Sequence, residues 1–416
     1  MVPAPPAIRL LVPANIRHNS GGNVYNAALA QGLEQLGADV TIMPVNGDWP
    51  VASKEERRRL AKLLMSGTKS LGTAGAASGS RPGVPAGTVT IVDGLVASGA
   101  PEALEAAAAS GQAPWVLMHM PLDEHPDLEA RSLRAAAGVI CTSGSAAGEI
   151  TRRHGLAGVR AALPGTERAR LAHGSEPPHL LSVAALLPNK DQLTLLSALA
   201  RLQDLDWTAA LVGSATADPD YARQVAAAVD RHGLDGRVQL PGELTGDALE
   251  RQWLAADLSL LVSKVEAFGM AVTESLARGV PVVVRAGTGA VEALGLGAEP
   301  APGRGADAGA EPALPAAALP GAAVELGAGV ELGAAPESTG TAGDDAAGAE
   351  GDPAPLAALL RGWLTDPGLR AEWRRRALVG RHLLPGWDAT ARQVLGYVAP
   401  EAWPAGHSSH RPADGE

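Results

Sequence analysis

Short apolar runs alternate with amphipathic stretches along most of the chain, the pattern of buried parallel strands separated by helices. The run "AIRLLVPA" (7–14) suits a buried strand. "GGNVYNAALAQGLEQLG" (21–37) then places Val24, Leu29, Leu33 and Leu36 on one side and ends on Gly37 as a stop, so it predicts a helix. "ADVTIMPV" (38–45) is again strand-like, and further strands are predicted at 88–95, 115–120 and 138–143. Between them, 66–87 is a glycine- and serine-rich stretch without a packing pattern and reads as a flexible loop.

After "ARLAHGSEPP" (169–178), which reads as an interdomain linker, the alternation restarts. Strands are predicted at 179–186, 207–214, 237–244, 257–264 and 281–287, with helices at 190–202, 219–233 and 245–256. The expected organisation is α/β, with two Rossmann-like doubly wound domains in tandem, 1–172 and 173–388. Residues 297–350 interrupt it with alanine, glycine, proline and acid, and carry a short tandem copy, "AVELGA" then "GVELGA". That composition buries too little apolar area to offset ordering entropy, so a disordered insertion is expected. Helical patterning returns at 354–366 and 369–398, the segment 389–400 is expected to pack back towards the first domain, and 401–416 reads as a frayed tail.

Composition narrows the function classes. A net charge of −11 over 416 residues argues against a nucleic-acid partner, which calls for a basic face. The single cysteine, Cys141, has no intramolecular disulfide partner and fits a reducing compartment. No stretch reads as a signal peptide or a bilayer-spanning run, so a cytoplasmic protein is expected, with peripheral contact at the inner membrane face left open.

The segment with most chemistry is "KVEAFGMAVTESLARGVPVVV" (264–284). Glu266 falls just past a strand's C-terminal end, where open α/β sheets place ligands. Gly269 enters a helix running from about Met270 to Arg278, whose first amides can hold a phosphate. Glu274, one turn on, can accept hydrogen bonds from a ribose diol. Read alone, the pair fits two solvated glutamates beside a packing glycine equally well. "GTGAVE" (287–292) imitates the start of a dinucleotide fingerprint, but Glu292 stands at the third glycine position, which counts against a dehydrogenase. Neither an Asp-x-Asp at a strand end nor a His/Cys cluster points to a metal. Asp93, at the end of a predicted strand, reads as a loop cap.

"EAFGMAVTE" resembles the Glu-x7-Glu signature of retaining glycosyltransferases of family 4, which have the GT-B fold. The resemblance extends to "SVAALLPNKDQLTLLSAL", to "RVQLPGEL…LERQWLAADLSLLVS", to the opening "SGGNVYNAALAQGLEQLGADVTIMPV" and to "GWLTDPGLRAEWRRRA…LPGW". It implies two domains facing a deep cleft and transfer of a sugar from a UDP-, GDP- or ADP-sugar with retention, through an ion-pair-like transition state and without a metal or other cofactor. Under it, Glu266 contacts the donor sugar and Glu274 the ribose, while Phe268, Gly269 and Met270 offer backbone amides. Lys190 binds the diphosphate, Gly21 and Gly22 form a loop facing it, Gly213 joins the donor-binding set, and His119 lies near the reacting sugar. Small-molecule, glycan and lipid acceptors all remain open.

The sequence departs from the family at Ala185, where an arginine is expected; a mobile Arg285 could substitute, or donor affinity could be lower. It also departs by the insertion after "GAVEALG". Two other readings stand beside transfer: a nucleotide-sugar epimerase or hydrolase on the same fold, and a catalytically inactive sugar-nucleotide-binding protein.

Overall fold

In the computed structural model, which describes residues 6–16, 20–66, 88–122, 124–298, 319–326, 351–401 and 403, the apolar runs form two six-stranded sheets with helices packed against them. The chain divides into two compact units. Met1–Thr142, Ile150–Leu163 and Trp387–Glu416 form the first, and Ser143–Glu149 with Pro164–Gly386 the second.

The chain runs through β1 (Ala7–Pro13), α1 (Gly21–Gln35), β2 (Asp39–Val45), α2 (Lys54–Met65), β3 (Val89–Asp93), α3 (Gly94–Ser98), α4 (Pro101–Ala109), β4 (Trp115–Met118), α5 (Pro126–Ala135), β5 (Gly138–Cys141), α6 (Gly144–His154) and β6 (Arg160–Ala161). The sheet order is β2-β1-β3-β4-β5-β6, all parallel. Its core joins Ile8, Leu10, Ile91, Leu117 and Ile140 from the strands to Tyr25, Leu29 and Leu33 of α1. Burial pushes the Cys141 thiol up to about 12, with Glu129 adding to it, so this lone cysteine is an inert core residue.

The second unit continues through β7 (His179–Val183), a 3₁₀ turn at Pro188–Lys190, α7 (Gln192–Leu199), β8 (Thr208–Val212), α8 (Pro219–Arg231), β9 (Val238–Gly242), α9 (Gly246–Ala255), β10 (Leu258–Leu261), α10 (Met270–Ala277), β11 (Val282–Arg285), α11 (Ala290–Leu296), β12 (Gly321–Val324), α12 (Ala354–Thr365) and α13 (Pro367–Gly380). Its order is β12-β11-β10-β7-β8-β9, again parallel. The last helix, α14 (Trp387–Val398), belongs to the first unit, where Ala391, Val394 and Leu395 enter the core beside α1.

Three expectations need correction. The stretch 169–178 is no free linker: Ala172 is buried in a core cluster with Leu181, Trp253 and Val280, and the Asp257 carboxylate accepts from the amides of Ser175 and His179. The second unit therefore begins before residue 173. The disorder expected across 297–350 fails for 319–326, because β12 pairs in register with Val282–Arg285 and buries Val324 and Leu326 in the core. Sheet pairing supplies the stabilisation that this alanine-rich segment lacks by composition. The rest of that insertion, the 67–87 stretch and most of the tail lie outside the described residues. The "DGLVASG" stretch, expected to be strand and loop, turns into helix α3.

Helix α2 has no counterpart in the expected elements, although Ser53 and Glu56 form a reciprocal capping box at its start. No helix among the described residues is long and apolar enough to cross a membrane. Leu326 is 1% exposed, so Leu326→Ala is expected to cost about 2–5 kcal/mol by cavity formation. Denaturant unfolding reads this directly, and an unchanged midpoint would show that 319–326 is not packed.

Candidate functional site

In the second unit the C-terminal ends of β7 and β10 bring Lys190 and Glu266 together. Lys190 closes the 3₁₀ turn after β7, and its Nζ lies 2.7 Å from Glu266 Oε2. Ser263 Oγ donates to the same oxygen at 3.2 Å, and the Lys264 amide donates to the Asn189 carbonyl at 2.7 Å, tying the two loops. Lys190 and Glu266 keep 20% and 15% of their side-chain surface, so the pair is sheltered yet reachable.

Three residues on, Gly269 stands at φ 85°, a left-handed conformation that glycine adopts at low cost, and redirects the chain into α10. Gly269 brings no side chain to cap the first turn, so the helix start is free to meet an anion through its amides. Phe268 is buried and holds the turn down, whereas Met270 is half-buried. Glu274 lies one turn into α10. Burial pushes its carboxyl above the ordinary carboxylate range and Glu167 adds to this, while Arg278 opposes it. Gly213 serves close packing: a Cβ there would overlap the Ala184 carbonyl in the loop after β7.

Arg285 is not the mobile substitute for the cation missing at Ala185. Its guanidinium is buried against the Asp191 carboxylate, and its Nε donates to the Val262 carbonyl at 3.0 Å. Ala185 itself contributes only a backbone carbonyl, which accepts from Gln192 Nε2 at 2.9 Å. Asp191 was absent from the expected set, although it adjoins Lys190 and anchors the same turn.

In the first unit the second cluster forms around His119, one residue past β4. Its Nε2 lies 3.1 Å from Asn26 Oδ1 and 3.2 Å from Asp93 Oδ2. Tyr25 meets the ring edge-on, with centroids 5.4 Å apart. Gly21 and Gly22 are not a loop but the first residues of α1, started by Ser20, whose hydroxyl accepts from the Asn23 amide. Gly22 faces the histidine, since a Cβ there would stand 3.1 Å from His119 Cδ2. Asp93 does cap, accepting from the Leu95 amide at 3.0 Å, but its other oxygen serves Asn26 and His119. Asn26, four residues after Gly22 on the same helix face, was not singled out from the sequence. His125 is the residue before α5, and Asp123 lies outside the described residues. Among the described residues, no group of three His, Cys, Asp or Glu side chains is placed to hold a metal.

Residues 165–301 match the family model of glycosyl transferases group 1. The matched segment of this group 1 region holds Lys190, Gly213, Glu266, Phe268, Gly269, Met270 and Glu274, and leaves His119, Gly21 and Gly22 outside. No curated protein sequence matches the chain.

Among solved structures, the chain is similar to the sucrose-phosphate synthase of Thermosynechococcus elongatus, at 18% identity over 94% of this chain and 97% of that one with a TM-score of 0.63. It is also similar to a glycosyltransferase from Rickettsia africae, at 15% identity over 95% and 98% with a TM-score of 0.65. Anabaena Alr3699/HepE in complex with UDP-glucose gives 15% identity over 94% and 98% with a TM-score of 0.61. The fold is thus GT-B, two Rossmann-like domains.

Two predictions test these placements. Arg285→Met removes the closest cation from the buried Asp191 carboxylate and leaves it with Thr194 Oγ1 and the more distant Lys264 Nζ, so it should cost about 3–5 kcal/mol of stability; an unaltered unfolding midpoint would return Arg285 to the pool of free cations. Glu274 has a raised native pKa, so its contribution is retained below the ordinary value of 4.5 and lost as pH rises through the native value. Glu274→Gln should therefore match the parent protein in acid, gain relative stability as the pH rises from 4.5 to the native value, and level off above it. A difference that does not change with pH would contradict the assigned burial.

Proposed function

We propose that this protein transfers a sugar from a nucleoside-diphosphate sugar to an acceptor hydroxyl, with retention at the anomeric carbon, as glycosyltransferases of family 4 do. The observation that carries the reading is the Lys190–Glu266 contact at the sheet's C-terminal edge, beside the uncapped start of α10 and inside the group 1 segment. Lys190 exchanges its carboxylate partner for the diphosphate and balances charge as the leaving group departs. The amides at Phe268, Gly269 and Met270 add partial positive charge. Glu266, released from Lys190, accepts hydrogen bonds from the sugar, and Glu274 binds the ribose diol.

The HepE structures, described as complexes with UDP and with UDP-glucose, support a nucleotide-sugar donor of this kind. UDP-, GDP- and ADP-sugars are the candidates. No metal is assigned, because the lysine and the helix start supply the positive charge. The site of action is assigned to the cytoplasm, at the inner membrane face if the acceptor is a lipid.

A specific observation favours a second reading, a sugar-nucleotide-binding protein without turnover. Ala185 offers no cation and Arg285 is committed to Asp191, so the diphosphate has fewer positive partners than family 4 usually provides. Calorimetric titration with the three sugar nucleotides, followed by mass spectrometry of acceptor extracts, separates the two. Binding with a glycosylated product supports transfer, binding without one supports the second reading, and free sugar alone supports hydrolysis.

Glu274→Ala should weaken donor binding by about 1.5–3 kcal/mol, the worth of a charged hydrogen bond; unaltered affinity would remove Glu274 from the donor site. Lys190→Ala should lower kcat while leaving the unfolding midpoint nearly in place. Wild-type turnover in that variant would assign the diphosphate to another cation.

A further inference from the structure

His119 is held from several sides by groups that specify its protonation as well as its position. Helix α1 presents Gly22, Tyr25 and Asn26 on one face, at the i, i+3 and i+4 spacing. Gly22 leaves room for the flat of the ring, and Tyr25 stands edge-on to it at an interplanar angle of 72°. Tyr25 is itself fixed, its hydroxyl donating to the Ala162 carbonyl at 2.9 Å and its ring lying against Trp387.

The polar contacts decide the tautomer. A carboxylate accepts only, so Asn26 must turn its NH₂ towards Asp93, and Nδ2 does donate to Asp93 Oδ2 at 2.9 Å. That orientation leaves Asn26 Oδ1 facing His119 Nε2 at 3.1 Å. The other group near Nε2, at 3.2 Å, is the Asp93 carboxylate oxygen. Both neighbours are acceptors, so Nε2 carries the proton. Asp93 and Asn26 are 2% and 4% exposed, so water does not compete for these contacts. Among the described residues, Nδ1 has no hydrogen-bond partner, and the ring keeps 19% of its surface.

We propose that Asn26 and Asp93 are positioning residues that lock His119 in the Nε2–H tautomer, so that Nδ1 presents a lone pair to a substrate hydroxyl. The proposal rests on the transferase reading for the identity of that hydroxyl, and on geometry alone for the tautomer. The order of dependence runs from Asp93 to Asn26 to the ring: the buried carboxylate orients the amide, and the two together orient the proton.

The test uses the full chain with ¹⁵N-labelled histidine. Long-range ¹H–¹⁵N correlation reads which ring nitrogen is protonated, and His119→Gln identifies the signal. The expected wild-type result is Nε2–H. Asp93→Asn keeps the shape but introduces an NH₂ that can donate to Nε2, so the proton should move to Nδ1. Where transfer is measured, kcat should fall by roughly 10- to 1000-fold, with the donor KM within about threefold, as expected for a wrong tautomer. Asp93→Ser, whose shorter side chain can still cap α3 but removes the acceptor oxygen from Nε2, should also release the tautomer and serves if Asp93→Asn does not fold. An Nδ1–H ring in the wild-type protein overturns the proposal. So does a tautomer or kcat untouched by both substitutions. A wild-type protein that shows the Nε2–H ring but transfers no sugar from any of the three donors overturns the transferase reading and upholds the tautomer assignment.

Discussion

A buried ion pair, Asp191 with Arg285, organises the C-terminal edge of the second sheet. Asp191 is the one non-glycine at positive φ among the described residues, a conformation that costs about 1–2 kcal/mol. That twist turns its carboxylate inward while Lys190, the preceding residue, stays at the surface. Inside, the carboxylate also accepts from Thr194 Oγ1 at 2.9 Å and has Lys264 Nζ 3.6 Å away. Arg285, at the end of β11, reaches the carbonyl beyond β10. The loops after β7, β10 and β11 are thereby held by one charge, and the meeting of Lys190 with Glu266 depends on it. Such a pair is worth little over a well-packed apolar alternative, but removing one partner is severe. Its value here is specification of geometry.

Lys190 and Glu266 are therefore a ground-state pair and not an empty cradle. Each neutralises the other at a half-buried site, which lowers the cost of holding two charges there. A diphosphate that arrives must offer Lys190 more than the carboxylate does, and hydroxyls that arrive must satisfy Glu266 in turn. The two demands fit the two ends of a nucleotide sugar.

Most of the architecture was legible in the sequence because strands covered on both faces read as unbroken apolar runs, as in "DLSLLVS" and "PVVVR". The elements that were not read have identifiable causes. β12 is built from glycine, alanine and valine, and its stability comes from pairing with Val282–Arg285, a partner the local sequence does not announce. α2 is marked in the sequence by its Ser53–Glu56 capping box, although it lies outside the apolar alternation. The family resemblance made Gly21–Gly22 a loop, whereas the helix read from periodicity over 21–37 begins at Gly21, started by the Ser20 cap. At the site, Glu266, Gly269 and Lys190 stood out by their positions at element boundaries. Asn26, Asp93 and His119 did not form a group in sequence, because only the β1-β3-β4 order of the sheet brings them together. Arg285 was misjudged for the same reason: the carboxylate that holds it is distant along the chain.

The Lys190–Glu266 pair is assigned here as the place where a nucleotide-sugar diphosphate binds. A crystal structure of the full chain soaked with a sugar nucleotide tests it most directly. The diphosphate should lie on Lys190 Nζ and the first amides of α10, with the Lys190–Glu266 contact opened and the Asp191–Arg285 pair intact. A nucleotide bound elsewhere, with Lys190 still on Glu266, would contradict it.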